Sequence, residues 1–157
     1  MRIYLAGRYS RRLELCGYRE QLRKAGHTVN AVWLDGEHQL SNEGVPIGEH
    51  SESLVEGSLR PGERLHQEDM SERAAKLRQK FAQDDFRDVI SAELTICFTE
   101  VPRSDKGRGG RHVEMGIALG RMQRVWVVGP RENIFCWLDD VEHFDTWGEA
   151  FSELVKE

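Results

Sequence analysis

In the stretch RGGRHVEMG (108–116), two arginines, two glycines and a histidine stand immediately before one glutamate, Glu114. Beyond it the apolar residues Met115, Ala118, Leu119 and Met122 recur at helical spacing, so Glu114 is expected in the first turn of a helix. Exposed amides and the helix dipole there stabilise an anion by roughly 0.3–1 kcal/mol. The nearby Arg108, Arg111 and His112 add to that field. An ionised, oriented carboxylate is what a nucleophile needs. The same position also suits a glutamate that only complements a dipole. Gly107, Gly109 and Gly110 permit positive φ and close backbone approach, which suits anion binding at a helix start or an ordinary loop.

Two other stretches carry candidate chemistry. AQDDFRDVI (82–90) places Asp84, Asp85 and Asp88 within about one helical turn. A carboxylate there, brought near Glu114, completes a nucleophile and acid pair; otherwise the three form a solvated acidic face. GRYSRR (7–12) supplies Gly7, Arg8, Tyr9, Arg11 and Arg12 near the start of the first helix, suited to phosphate or carboxylate binding or to a charged surface. Tyr9 can stack on a planar ligand or pack. The lysine and hydroxyl that end a Walker loop are missing, and strand 1 leads into AGRYSRR without a dinucleotide fingerprint. His27, His38, His50, His66 and His143 lack metal-ligand spacing. Ser10 has no neighbouring His/Asp pattern and reads as a helix cap.

These groups need a scaffold. RIYLA (2–6) reads as a strand, followed by a helix with Leu13, Cys16, Leu22 and Ala25 on one face and Gly26 as its stop. TVNAVW (28–33) reads as a second strand. Residues 35–70 form a polar excursion or lid with Trp33 and Asp35 at its root. Ser71 opens a long helical pattern. LTICFT (94–99) and RVWVVG (124–129) are further strands, with the Glu114 helix between them. NIFCWL reads as one helical turn, EHF as a short fifth strand, and TWGEAFSELVKE as a last helix with a Thr146/Glu149 capping box. This order implies one α/β domain over 1–157, a flavodoxin/Rossmann-like three-layer sandwich with a five-stranded, mainly parallel sheet. With strand order 2-1-3-4-5, ligands bind outside the carboxyl ends of strands 1 and 3, where GRYSRR and the loop before Glu114 meet.

Composition agrees with that class. The chain has 157 residues, 39% hydrophobic and 31% charged, enough for one core. No apolar run reaches ~18 residues, and MRIYLAG is too short for a signal peptide. Cys16, Cys97 and Cys136 are scattered and odd in number, which favours reduced thiols and a cytoplasmic setting. A net charge of -5 argues against a general nucleic-acid binder.

The stretches IYLAGRYS, DFRDVISAELTICFTE and GRGGRHVEMGIALGRMQRVWVVGP resemble the nucleoside 2-deoxyribosyltransferase family, which includes 2'-deoxynucleoside 5'-phosphate N-hydrolases. The resemblance covers most of the chain outside 35–70. It rests on Ala6-Gly7 at a strand end, Asp85 eight residues before Glu93, and Gly-x-x-x-Glu-x-Gly-x-Ala from Gly110 to Ala118. It implies that Glu114 is the catalytic nucleophile and that Asp85 contacts the substrate and helps the base leave. It implies substrate contacts from Gly7, Arg8, Tyr9, Arg108, Gly110, Arg111 and His112. Glu93 stands where the family commonly has Asp. Dimers or larger oligomers are implied, with Arg131 and Asn133 of GPREN (129–133) as the candidate contribution to a neighbouring subunit. The implied chemistry is cleavage of the N-glycosidic bond of a nucleoside or nucleotide by double displacement, with a free base or water as acceptor and no metal or organic cofactor. In the nucleotide hydrolases a Ser lies six residues before the glutamate; here that residue is Arg108. A non-catalytic nucleotide-sensing module is the reading from a different class.

Overall fold

The structure of the chain, a computed structural model, describes residues 1–36, 72–101 and 109–156. The expected excursion beyond Gly36, the opening Ser71, Gly107 and Arg108 all lie outside these residues.

Alternating apolar and β-branched residues build a five-stranded sheet of order β2-β1-β3-β4-β5, with every pair parallel. The strands are β1 (Arg2–Ala6), β2 (Thr28–Val29), β3 (Leu94–Phe98), β4 (Arg124–Val128) and β5 (Val141–Phe144). The helices are α1 (Arg12–Lys24), α2 (Glu72–Ser91), α3 (Gly110–Gly120) and α4 (Trp147–Leu154). Side chains alternate across a strand, so β3 divides its residues between two layers. Phe98 stacks on Tyr18 of α1 at 5.4 Å, and Tyr18 stacks on Trp147 of α4 at 4.6 Å. Cys97 lies on the opposite side, close enough to Glu114 of α3 to feel its charge. The helices α2 and α3 pack against each other and against β1 on that side. This is the three-layer α/β sandwich expected, and its strand order is the expected one. Among the described residues, no helix is long and apolar enough to cross a membrane.

Local expectations fare unevenly. The Thr146/Glu149 capping box is present, and Gly26 stops the first helix region at φ 88°. The second strand is shorter than expected. Only Thr28 and Val29 pair with β1, and the chain then turns into a 3-10 segment, Val32–Asp35. The departure has a cause: the Val32 amide donates to Asp88 Oδ2 at 2.8 Å, and Trp33 Nε1 donates to the Leu5 carbonyl at 2.9 Å. Ser10 is not a cap. It sits inside a 3-10 turn, Tyr9–Arg11, and α1 begins at Arg12 behind Arg11, with no side-chain cap. The inner face of α1 also differs. Leu13 and Ala25 are exposed, while Leu15 and Arg12 are buried beside Leu22. Arg12 turns inward because its Nη1 donates to the Leu34 carbonyl at 2.7 Å. Met122, expected in the α3 stripe, is 94% exposed at φ 54°, past the helix end; Met115 and Ala118 are buried.

Candidate active site

The α2/α3 side of β1 and β3 collects the acidic groups. Tyr4, in the middle of β1, is fully buried, and a buried phenol needs a partner. It finds one on α3: the Tyr4 hydroxyl donates to Glu114 Oε1 at 3.0 Å. Glu114 Oε2 is shut off from solvent and has no hydrogen-bond partner among the described residues. Asp85 on α2 lies close enough to raise the pKa of Glu114 by charge repulsion, and its Oδ1 is also shut off from solvent. Two helices and one strand therefore bring a tyrosine and two carboxyl groups together. Gln123 helps hold the two helices in register. Its Nε2 donates to the carbonyls of Val89, Ile90 and Ala92, at 3.0, 3.3 and 2.8 Å, at the end of α2.

The electrostatics correct one expectation. Glu114 is the fifth residue of α3, one turn inside the helix start at Gly110. Burial pushes its pKa up to about 8, and the Asp85 charge pushes the same way. The Tyr4 hydrogen bond and the Arg111 charge oppose this without winning. A dipole worth tenths of a kcal/mol does not offset desolvation of a buried carboxylate. So in the ligand-free chain Glu114 is mainly protonated at neutral pH. Burial and the Glu114 charge also raise the Tyr4 pKa well above the usual phenol value, so Tyr4 stays a donor.

The other aspartates of α2 serve different ends. Asp84 pairs with Lys80 at 2.6 Å and Arg87 at 3.6 Å. Asp88 receives the Val32 amide. Glu93 is not part of this group. It opens β3 at the far end of the sheet, where Arg2 N donates to its Oε2 at 2.7 Å, and that hydrogen bond lowers its pKa.

The expected cationic cradle is largely committed to internal pairs. Arg111 reaches Glu132 twice, Nε to Oε1 at 3.0 Å and Nη2 to Oε2 at 2.9 Å. Arg11 holds Glu14 with two 2.7 Å bonds and reaches Glu100 at 3.4 Å. His112 lies 3.4 Å from Glu132, and its Nδ1 is 3.3 Å from Asn133 Nδ2. Asn133 also caps the 3-10 turn Ile134–Trp137 by accepting from Phe135 N at 2.9 Å. Arg131 stacks over Trp137 at 4.2 Å.

The glycines divide by role. Gly109 precedes α3 at φ 79°, the left-handed turn its type permits, while at Gly110, which begins the helix, a Cβ would meet no atom of the described residues. At Gly7 a Cβ would meet Leu15 Cδ2 at 2.8 Å, so a glycine lets α1 close on the end of β1. Arg8 follows in extended backbone, and its carbonyl accepts the Arg11 amide at 2.9 Å. Half-buried Tyr9 packs toward Trp33, with ring centroids 6.2 Å apart.

No protein-family model matches this sequence, and no curated protein sequence matches it. Solved structures do resemble it. One is a 2-deoxyribosyltransferase from the psychrotolerant bacterium Bacillus psychrosaccharolyticus, with TM-score 0.58 and 19% identity over 96% of this chain and 90% of that one. Another is a CMP N-glycosidase from Clostridium botulinum, with TM-score 0.54 and 13% identity over 100% of both chains. These neighbours agree with the resemblance carried by the motifs, and the chain has the fold of the nucleoside deoxyribosyltransferases.

Proposed function

We propose that this chain cleaves the N-glycosidic bond of nucleosides by double displacement, with Glu114 as nucleophile and Asp85 assisting departure of the base. The observation that carries the reading is the Glu114 carboxyl group. One oxygen is fixed by Tyr4, and the other is buried with no hydrogen-bond partner among the described residues, beside a second carboxyl group. In the first step a Glu114 carboxylate oxygen bonds to C1' as the C1'–N bond breaks, and the base leaves with a proton supplied through Asp85 or solvent. In the second, a free base or water attacks C1', gives up its proton by the same route and releases the Glu114 carboxylate. The logic parallels retaining glycosidases, where paired carboxyl groups perform both steps. With its pKa pushed up to about 8, the ionised, attacking form of Glu114 is a minority at pH 7 before substrate binds.

The likeness to a 2-deoxyribosyltransferase supports transfer to a second base, and the likeness to a CMP N-glycosidase supports a second reading, hydrolysis of nucleotides. Arg11 and Arg111 are held by Glu14, Glu100 and Glu132. The nucleoside reading, which needs no grip on a 5'-phosphate, leaves these pairs in place. The proposal extends to a homo-oligomer in which Arg131 and Asn133 border a neighbouring copy. Exposed Ile134, Phe135 and Trp137 on the same loop support that placement.

The test is chromatographic base release from deoxynucleosides and deoxynucleoside monophosphates, with and without a second base. New nucleoside only when a base is added means transferase. Free base and sugar phosphate from monophosphates mean nucleotide hydrolase. No release by the wild-type chain, with ligand binding retained in both wild type and Glu114→Gln, means a sensing module.

A further inference from the structure

A carboxylate outside the Glu114 group gathers more donors than a surface residue needs. Glu132 lies in the loop after β4, and its side chain is only 7% exposed. Its Oε2 accepts from Arg111 Nη2 at 2.9 Å and from the Glu100 amide at 3.0 Å. Its Oε1 accepts from Arg111 Nε at 3.0 Å and lies 3.4 Å from His112 Nε2. Arg111 is itself 9% exposed at its side chain. One carboxylate thus fastens together the exit of β3, the first turn of α3 and its own loop. A buried charge paired and hydrogen-bonded on both oxygens leaves its partner uncompensated when one side is removed, so the join is stiff.

The join lies one turn from the reacting group. Arg111 and His112 are the second and third residues of α3, and Glu114 is the fifth. Gly109 precedes them in a left-handed turn. Among the described residues, Glu132 ties the first turn of α3 to the exit of β3. We infer that Glu132 is a positioning residue: through Arg111 and the β3 exit it sets where α3 begins and hence where the Glu114 carboxylate meets C1'. It does not touch substrate. This inference rests on Glu114 as nucleophile.

Misplacing a nucleophile by about 1 Å can cost about a hundredfold in rate, while substrate contacts elsewhere are unaffected. The experiment first establishes base release by wild type and its loss in Glu114→Gln. If wild type releases no base, or Glu114→Gln still does, the reading of Glu114 fails and the inference fails with it. With that baseline in place, Glu132→Gln is expected to lower kcat by about tenfold or more and to leave KM within about twofold. Glu132→Asp keeps the charge one methylene further back and should recover part of kcat. The double variant Glu132→Gln/Arg111→Met should be no slower than the slower single variant, because the two side chains act as one unit. Circular dichroism confirms that each variant is folded. Should Glu132→Gln fail to fold, Glu132→Asp and Arg111→Met carry the same kcat-against-KM comparison. A folded Glu132→Gln with unchanged kcat overturns the inference. So does a rise in KM at constant kcat, which would mean substrate contact, and so do additive losses in the double variant.

Discussion

The Tyr4 hydroxyl lies 3.0 Å from Glu114 Oε1 and joins the centre of the sheet to the helix that carries the proposed nucleophile. The bond is made by a phenol that burial and the Glu114 charge keep protonated, so Tyr4 donates to the glutamate whenever that group is ionised. It favours the carboxylate against burial and the Asp85 charge. Tyr4 thus acts as a tuning group, set in the core before any substrate arrives.

Tyr4→Phe keeps the ring and removes the donor. The Glu114 pKa then rises further, so the acidic limb of the kcat/KM profile moves to higher pH. Activity at pH 7 is expected to fall by about tenfold or more, with the gap narrowing as pH rises. A pH–rate profile of both proteins checks this. A uniform loss at every pH would mean that Tyr4 shapes the site without tuning Glu114.

Asp85→Asn pulls in the opposite direction. Removing the neighbouring negative charge lowers the Glu114 pKa, so the acidic limb moves to lower pH. The plateau kcat should nevertheless fall, by roughly a hundredfold for the loss of a group that helps the base leave. The two effects separate in one profile. A fall in kcat with no shift of the limb would show that Asp85 acts on the base alone.

The architecture is largely legible because short continuous apolar runs and glycine stops are local signals. LTICF and RVWVV are buried at nearly every position, as strands covered on both faces must be. Glu114 and Asp85 stood out through spacing and family resemblance. Tyr4 did not, although a tyrosine amid apolar residues in a buried strand signals a hydroxyl in need of a partner. The charge state of Glu114 is not legible in RHVEMG, because burial is a tertiary property. The inward turn of Arg12 and the early end of β2 depend on Leu34 and Asp88, residues 22 and 56 positions from their partners. No window of sequence contains both ends of such a bond.

Gly129 offers a test of the loop that carries Glu132. It sits at φ 109°, and a Cβ there would meet Thr99 Oγ1 at 3.0 Å and the Thr99 carbonyl oxygen at 3.2 Å. Backbone cannot step aside as a side-chain tip can. Gly129→Ala is expected to destabilise the fold by about 1–3 kcal/mol, read as a lower midpoint in urea denaturation. An unchanged midpoint would mean that the β4 exit relaxes to a different backbone conformation.

Glu114→Gln should stabilise the protein while abolishing turnover, and the stabilisation should depend on pH. In the unfolded chain Glu114 loses its proton near its ordinary value of 4.5, but in the folded chain it keeps it until about 8. Below the unfolded value both states are protonated and no penalty exists. Between the two values the folded state holds the extra proton, so wild-type stability falls as pH rises. Above about 8 the full cost of the buried carboxylate is present, on the order of a few kcal/mol. Glutamine carries no such slope. Urea denaturation of both proteins at three pH values, near 5, near 7 and near 9, should therefore give curves that almost coincide at the lowest pH and separate progressively above it. Parallel curves at all three would mean that Glu114 ionises in the fold as easily as in the open chain, and the acidic limb proposed for catalysis would go with it.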